Sequence, residues 1–134
     1  AFQENSLFPH YTVEKNILLG AERNKEKREK KINLDEIVKL LDISQILKKY
    51  PHQISAGEAQ RASLARSLVT QPDLLLLDES TSNLDSKSKL LVYRILESLN
   101  ITIVNSTHSA DELITYDKEI RFTSKNGITK INEI

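Results

Sequence analysis

At 134 residues, with 39% hydrophobic and 28% charged side chains, the chain is long enough for one domain with its own core, or for a piece of a larger one. Nineteen basic residues balance nineteen acidic ones, so no excess charge favours nucleic acid or direct attachment to an anionic membrane. Absence of cysteine excludes disulfides and thiolate metal sites and agrees with a cytoplasmic location, and no apolar run approaches the ~18 residues of a membrane helix. The N-terminus has no signal-peptide pattern, and the lack of any methionine reads as a start at a cut end or an added residue.

Residues 1–11 contain Pro9 and no hydrophobic period, and read as a loop. Thr12 is placed to cap a short helix over 13 to about 19, with Gly20 as its end. Residues 22–31 hold six positive and three negative charges, without glycine, proline or an aromatic residue. They read as a solvated helix or loop rather than a nucleic-acid patch. Asn33 and Glu36 have capping-box spacing ahead of Ile37, Val38, Leu40 and Leu41, an amphipathic helix. A shorter helix over about 44–48 is broken by Tyr50-Pro51.

The next helix opens at Ser55 and runs to about 69, with Ala62, Ala65, Leu68 and Val69 available to pack inward. Gln71-Pro72-Asp73 stops it. Leu74 to Leu77 form a continuous apolar run, the pattern of a strand buried on both faces. A polar loop over 80–85 leads into a helix over 86–99, where Leu91, Ile95 and Leu99 share one face. Residues 101–104 predict a second buried strand, and Ser109 with Glu112 one more capped helix. Segments 119–123 and 128–132 bracket Asn126-Gly127 and predict a hairpin. A helical half followed by alternating strands and helices implies the α/β class with a parallel sheet. Two core strands would leave unpaired edges, which places part of the sheet elsewhere.

Two stretches carry chemistry. Ile54-Ser55-Ala56-Gly57-Glu58-Ala59-Gln60-Arg61 reads as a small-residue turn feeding a helix N-terminus, a geometry that holds phosphate oxygens. Leu74-Leu75-Leu76-Leu77-Asp78-Glu79 reads as a strand ending in adjacent carboxylates, at the end where open α/β sheets place ligands. Phosphoryl transfer asks for both, the carboxylates holding Mg²⁺ and positioning a water. No Gly-x-x-x-x-Gly-Lys-Ser/Thr loop occurs in the 134 residues. His10 and His52 have no metal-ligand spacing and read as surface residues.

Five stretches, in order, resemble the nucleotide-binding domain of ABC transporter ATPases from its glutamine loop onward. Residues 2–13 are similar to that loop and the start of the helical subdomain, and 54–60 to the signature motif usually written LSGGQ. Residues 74–79 resemble the Walker B strand, Ser82-Asn83-Leu84-Asp85 the D-loop, and Thr107-His108 the switch histidine. The resemblance implies a partial P-loop NTPase (RecA-like) sheet-and-helix core, residues 71–134, preceded by the helical subdomain and signature helix, residues 1–70. It also implies ATP and Mg²⁺ as ligands, a second ATP-binding subunit and transmembrane transporter subunits as partners, and attachment to the membrane through those subunits. The absence of a long coiled coil after residue 13 favours a transporter subunit over the DNA-repair and chromosome-maintenance relatives.

By the same resemblance Asp78 contacts Mg²⁺ through water and Glu79 is the general base. His108 touches the γ-phosphate, and Gln3 joins Mg²⁺ to the attacking water unless it is merely a frayed end. Asp85 is expected to cap the following helix as well as serve the D-loop. Ser55, Ala56, Gly57 and Glu58 would face a nucleotide held by a second subunit. Two positions depart from the pattern: Ala56 replaces a glycine and Glu58 a glutamine. Alanine requires a negative φ there, and Glu58 weakens anion binding unless it turns away, for example into a capping box with Ser55. Lacking the Walker A loop, the chain alone is expected to have negligible ATPase and no tight hold on ATP. The competing expectation is a non-enzymatic module that binds a partner, or a second copy of itself by strand exchange.

Overall fold

The computed structural model describes residues 7–22, 33–78, 84–106, 120–125 and 128–133. Helix α1 spans Val13–Glu22, α2 Leu34–Leu40 and α3 Ala56–Leu68, with short 3₁₀ turns at Ser44–Ile46 and Pro51–Gln53. Strand β1 (Leu74–Asp78), helix α4 (Ser86–Ser98) and strand β2 (Thr102–Ser106) follow. The last described elements are β3 (Ile120–Lys125) and β4 (Ile128–Glu133).

Local capping sets most of these boundaries. Thr12 Oγ1 accepts from the Lys15 amide, and the first amides of α1 reach further, Val13 to Lys49 O and Glu14 to Leu47 O, both at 2.9 Å. Helix-start donors are thus satisfied by a distant turn. Helix α1 does not stop at Gly20 as its glycine suggests; it continues to Glu22. Gly20 is buried because α3 passes against it: a Cβ there would meet the Arg66 carbonyl oxygen and lie 2.9 Å from Val69 Cγ1. Asn33 caps α2 through the Asp35 amide at 3.2 Å rather than by the full reciprocal box expected with Glu36. That helix closes on Asp42, whose positive φ of 53° lets Ile43 N–H bond Val38 O and its own N–H bond Lys39 O. This is the Schellman arrangement, with aspartate in glycine's usual place.

The core joins Val13 and Ile17 of α1, Ile37 of α2 and Ile43 and Ile46 beyond it to the alanine face of α3. It continues through Leu75 into Val92, Ile95 and Leu96 of α4. Alanines at 59, 62 and 65 allow close approach of neighbouring helices. Asn16 is fully buried among them, yet its side chain is matched: Oδ1 accepts from Phe8 N at 2.7 Å, and Nδ2 donates to the carbonyls of Phe8, Tyr11 and Thr12. It pins the Phe8–Thr12 loop to α1, which is how a buried amide avoids a desolvation penalty.

Strands β1 and β2 pair in parallel, Leu74 opposite Thr102 through Asp78 opposite Ser106, and β3 and β4 pair antiparallel about Asn126-Gly127. The expected parallel pair and hairpin are both present. Burial on both faces is not. Leu74, Leu76 and Val104 are 51%, 70% and 54% exposed, while Leu75 is buried and Leu77 and Ile103 pack on the core. Among the described residues, only one face of this sheet has a layer against it, so a two-sided apolar pattern leaves its other side in solvent. The expected helix near 109–112 lies outside the described residues, as does the charged stretch 22–31 beyond Glu22, which ends α1.

Candidate functional site

The first patch is the start of α3. Ser55 is its N-cap, and a complete capping box closes it: Ser55 N–H donates to Glu58 Oε2 at 2.9 Å and Glu58 N–H to Ser55 Oγ at 3.2 Å. Glu58 therefore turns back onto its own backbone. Ala56 is the first helical residue and is not among the positive-φ positions, so alanine fits the glycine site of the motif without strain. Ser55 and Ala56 are exposed, and Gly57 and Glu58 half-buried. Gly57 makes a close approach instead: a Cβ would sit 3.3 Å from Leu84 Cδ2 and 3.9 Å from Arg61 Nη1.

The second patch is the C-terminal end of the parallel pair. Asp78 is half-buried and lies opposite Ser106 in the register, so the strands leading toward Glu79 and His108 end together at one edge. Glu79, Ser82, Asn83, His108 and Gln3 themselves lie outside the described residues. Asp85 is described. It is the N-cap of α4, its carboxylate accepting from Ser88 N at 2.7 Å. That bond and a second from the Ser88 side chain, with lesser help from the charges of Arg61 and Lys87, hold its carboxyl below the usual range against the opposing effect of desolvation.

Among the described residues no three acidic or histidine side chains converge as a ready-made metal cage. Asp78 offers one carboxylate at the C-terminal end of the strand pair. That suits a Mg²⁺ held by one or two carboxylates with phosphate oxygens completing its shell. A separate groove of about 420 Å³ runs between α1, α3 and β1, lined by Phe8, Leu19, Arg66, Pro72, Leu74 and Leu76. It contains neither patch. Sequence reasoning missed Arg61, whose Nη1 donates to Ser88 Oγ at 3.0 Å across 27 positions, and missed Asn16 as a buried pin. No local signal marks either.

Comparison with known proteins identifies the family. The model of the family "ABC transporter" matches residues 1–82. The chain belongs to the ABC transporter family, within its ATP-binding domain. It is 40% identical over 98% of its length to the Fe(3+) ions import ATP-binding protein FbpC of Fusobacterium nucleatum. It is 39% identical over 99% to the molybdenum import ATP-binding protein ModC of Vibrio parahaemolyticus, and 39% over 98% to the putrescine transport ATP-binding protein PotG of Escherichia coli. The chain spans about 37% of the first two proteins and 36% of the third. Its fold matches the dimeric bacterial ABC transporter cassette MJ0796 with a TM-score of 0.70 and 28% identity, over 81% of this chain and 50% of that one. The same cassette has been solved with ADP and Pi bound. Among the described residues no helix is long and apolar enough to cross a membrane.

Proposed function

We propose that these residues supply the signature turn and the carboxylate strand of an importer-type ATP-binding subunit, cytoplasmic and attached to the membrane through transmembrane subunits. The observation that carries this reading is the pairing of a partly exposed, glycine-containing helix start at Ser55–Glu58 with Asp78 at a strand end, in a chain related along nearly its whole length to import ATP-binding proteins. The relatives are named for iron import, molybdenum import or putrescine transport, so the class of cargo is left to the membrane subunits.

In this reading two different nucleotides are served. Ser55, Ala56 and Gly57 face the nucleotide of a second ATP-binding subunit, with Glu58 stiffening the turn from behind. Asp78 and Gln3 hold Mg²⁺, which neutralises phosphate charge. Glu79 takes a proton from the attacking water, His108 contacts the terminal phosphate, and Ser82, Asn83 and Asp85 form the D-loop. The 134 residues contain no Walker A loop to bind the phosphates. The chain by itself therefore leaves its own carboxylates without a substrate. The division into a helical part over 1–70 and an ATPase part over 71–134 belongs to the same proposal.

Phosphate release from MgATP tests it. The chain alone and its Glu79→Gln variant are expected to give the same background rate. Hydrolysis that depends on Glu79 in the isolated chain would contradict the proposal.

A further inference from the structure

Arg61 lies in α3, little more than a turn beyond Gly57, and its position is costly. Its Nε is buried with no hydrogen-bond partner among the described residues, while Nη1 reaches Ser88 Oγ in the first turn of α4. A buried donor without an acceptor disfavours folding, and an unbranched apolar side chain of similar length would fill the space without that loss. The bond to Ser88 and the attraction to exposed Asp85 offset that cost, so stability alone gives little reason for an arginine over an apolar residue here. Its surroundings suggest another use. Leu84, buried, packs against the Gly57 backbone, and Asp85 and Ser88 complete the first turn of α4 beside the guanidinium. Backbone contact on one side and a charged hydrogen bond on the other join the two helix starts.

We propose that Arg61 is a positioning residue that braces the Ser55–Glu58 turn against the first turn of α4, so that the two helix starts shift as one body. Its value for ATP chemistry rests on the reading of that turn as the surface offered to a partner's nucleotide. The brace itself does not. A displacement of the turn on closing over a nucleotide is carried by Arg61 to Leu84, Asp85 and Ser88, the residues that follow the carboxylate strand. Without Arg61 the join loses its charged hydrogen bond and keeps the Gly57–Leu84 approach, a touch between a backbone and the flexible end of a leucine.

Backbone amide NMR and hydrogen exchange on the full chain test this, with Ser88→Ala introduced into the native sequence and into Arg61→Met. In the native background Ser88→Ala is expected to move the Gly57 and Glu58 amide resonances and to speed their exchange several-fold. In Arg61→Met the same change leaves them where they are, while the urea midpoint of Arg61→Met stays at or above the native one. Effects of Ser88→Ala confined to α4, or equal in both backgrounds, overturn the brace. So does a midpoint loss in Arg61→Met with faster exchange throughout the chain, which marks plain core packing. Should Arg61→Met not fold, Arg61→Gln serves the same comparison. No nucleotide enters these measurements, so failure of the ATP reading and failure of the brace are told apart.

Discussion

Ser55 and Glu58 hold each other's backbone: each side chain accepts the other residue's amide, at 3.2 and 2.9 Å. The glutamate that departs from the family's usual glutamine is thus part of the helix start. Replacing Ser55 by Ala is expected to cost about 1 kcal/mol and Glu58 by Ala somewhat less, with the double variant losing less than the sum. Glu58→Gln, which keeps an acceptor oxygen, is expected to stay within about 0.5 kcal/mol of native. Urea unfolding of the four variants checks this. Additive losses would show that the two bonds form independently.

The two described glycines of α1 and α3 should respond unequally to alanine. At Gly20 the added methyl meets the Arg66 carbonyl and Val69, so helix propensity gains nothing and about 1–3 kcal/mol is lost to overpacking. At Gly57 it meets only the mobile end of Leu84, and the ~1 kcal/mol gain of alanine in a helix offsets the crowding. Thermal unfolding should place Gly20→Ala well below native and Gly57→Ala near it.

Asp85 gives the chain an acid-sensitive element. Its folded carboxyl is held down, first by the Ser88 amide and then by the Ser88 side chain. Such a group adds stability above its unfolded value, and that contribution is lost as pH falls through the folded one, below about pH 4. Asp85→Asn keeps a capping oxygen and removes the titration. Urea midpoints measured down a pH series should fall less steeply below pH 4 in the variant. Parallel curves would remove Asp85 from the account of acid sensitivity.

The face carrying Leu74, Leu76 and Val104 is open enough to bind apolar probes. Anilinonaphthalene sulfonate fluorescence is expected to rise with the native chain. In Leu76→Gln with Val104→Thr it should drop severalfold at unchanged helix content by circular dichroism. Equal fluorescence in both proteins would locate the dye elsewhere.

What was legible in the sequence was local. Ser55 with Glu58, Asp85 and Thr12 announce helix starts because the groups they satisfy lie within three residues, and Asn126-Gly127 between alternating segments announces a hairpin. Gly20 was misleading because a glycine that ends a helix and one that admits a neighbouring helix look alike along the chain. The exposed face of β1 was illegible for a related reason: an apolar run records what a strand can be packed against, and packing is decided by other layers. Arg61 and Ser88, 27 positions apart, meet only through the fold. The family was legible as an ordered set of motifs, and the described residues bear on Ser55–Glu58, Asp78 and Asp85 alone among the candidate site's members.

Calorimetric titration of MgATP into the isolated 134-residue chain tests most directly that its carboxylate strand lacks a phosphate cradle of its own. The account predicts no saturable heat at nucleotide concentrations up to about a millimolar. Saturable binding with a micromolar Kd would contradict it, because the phosphates would then be held by groups other than a Walker A loop.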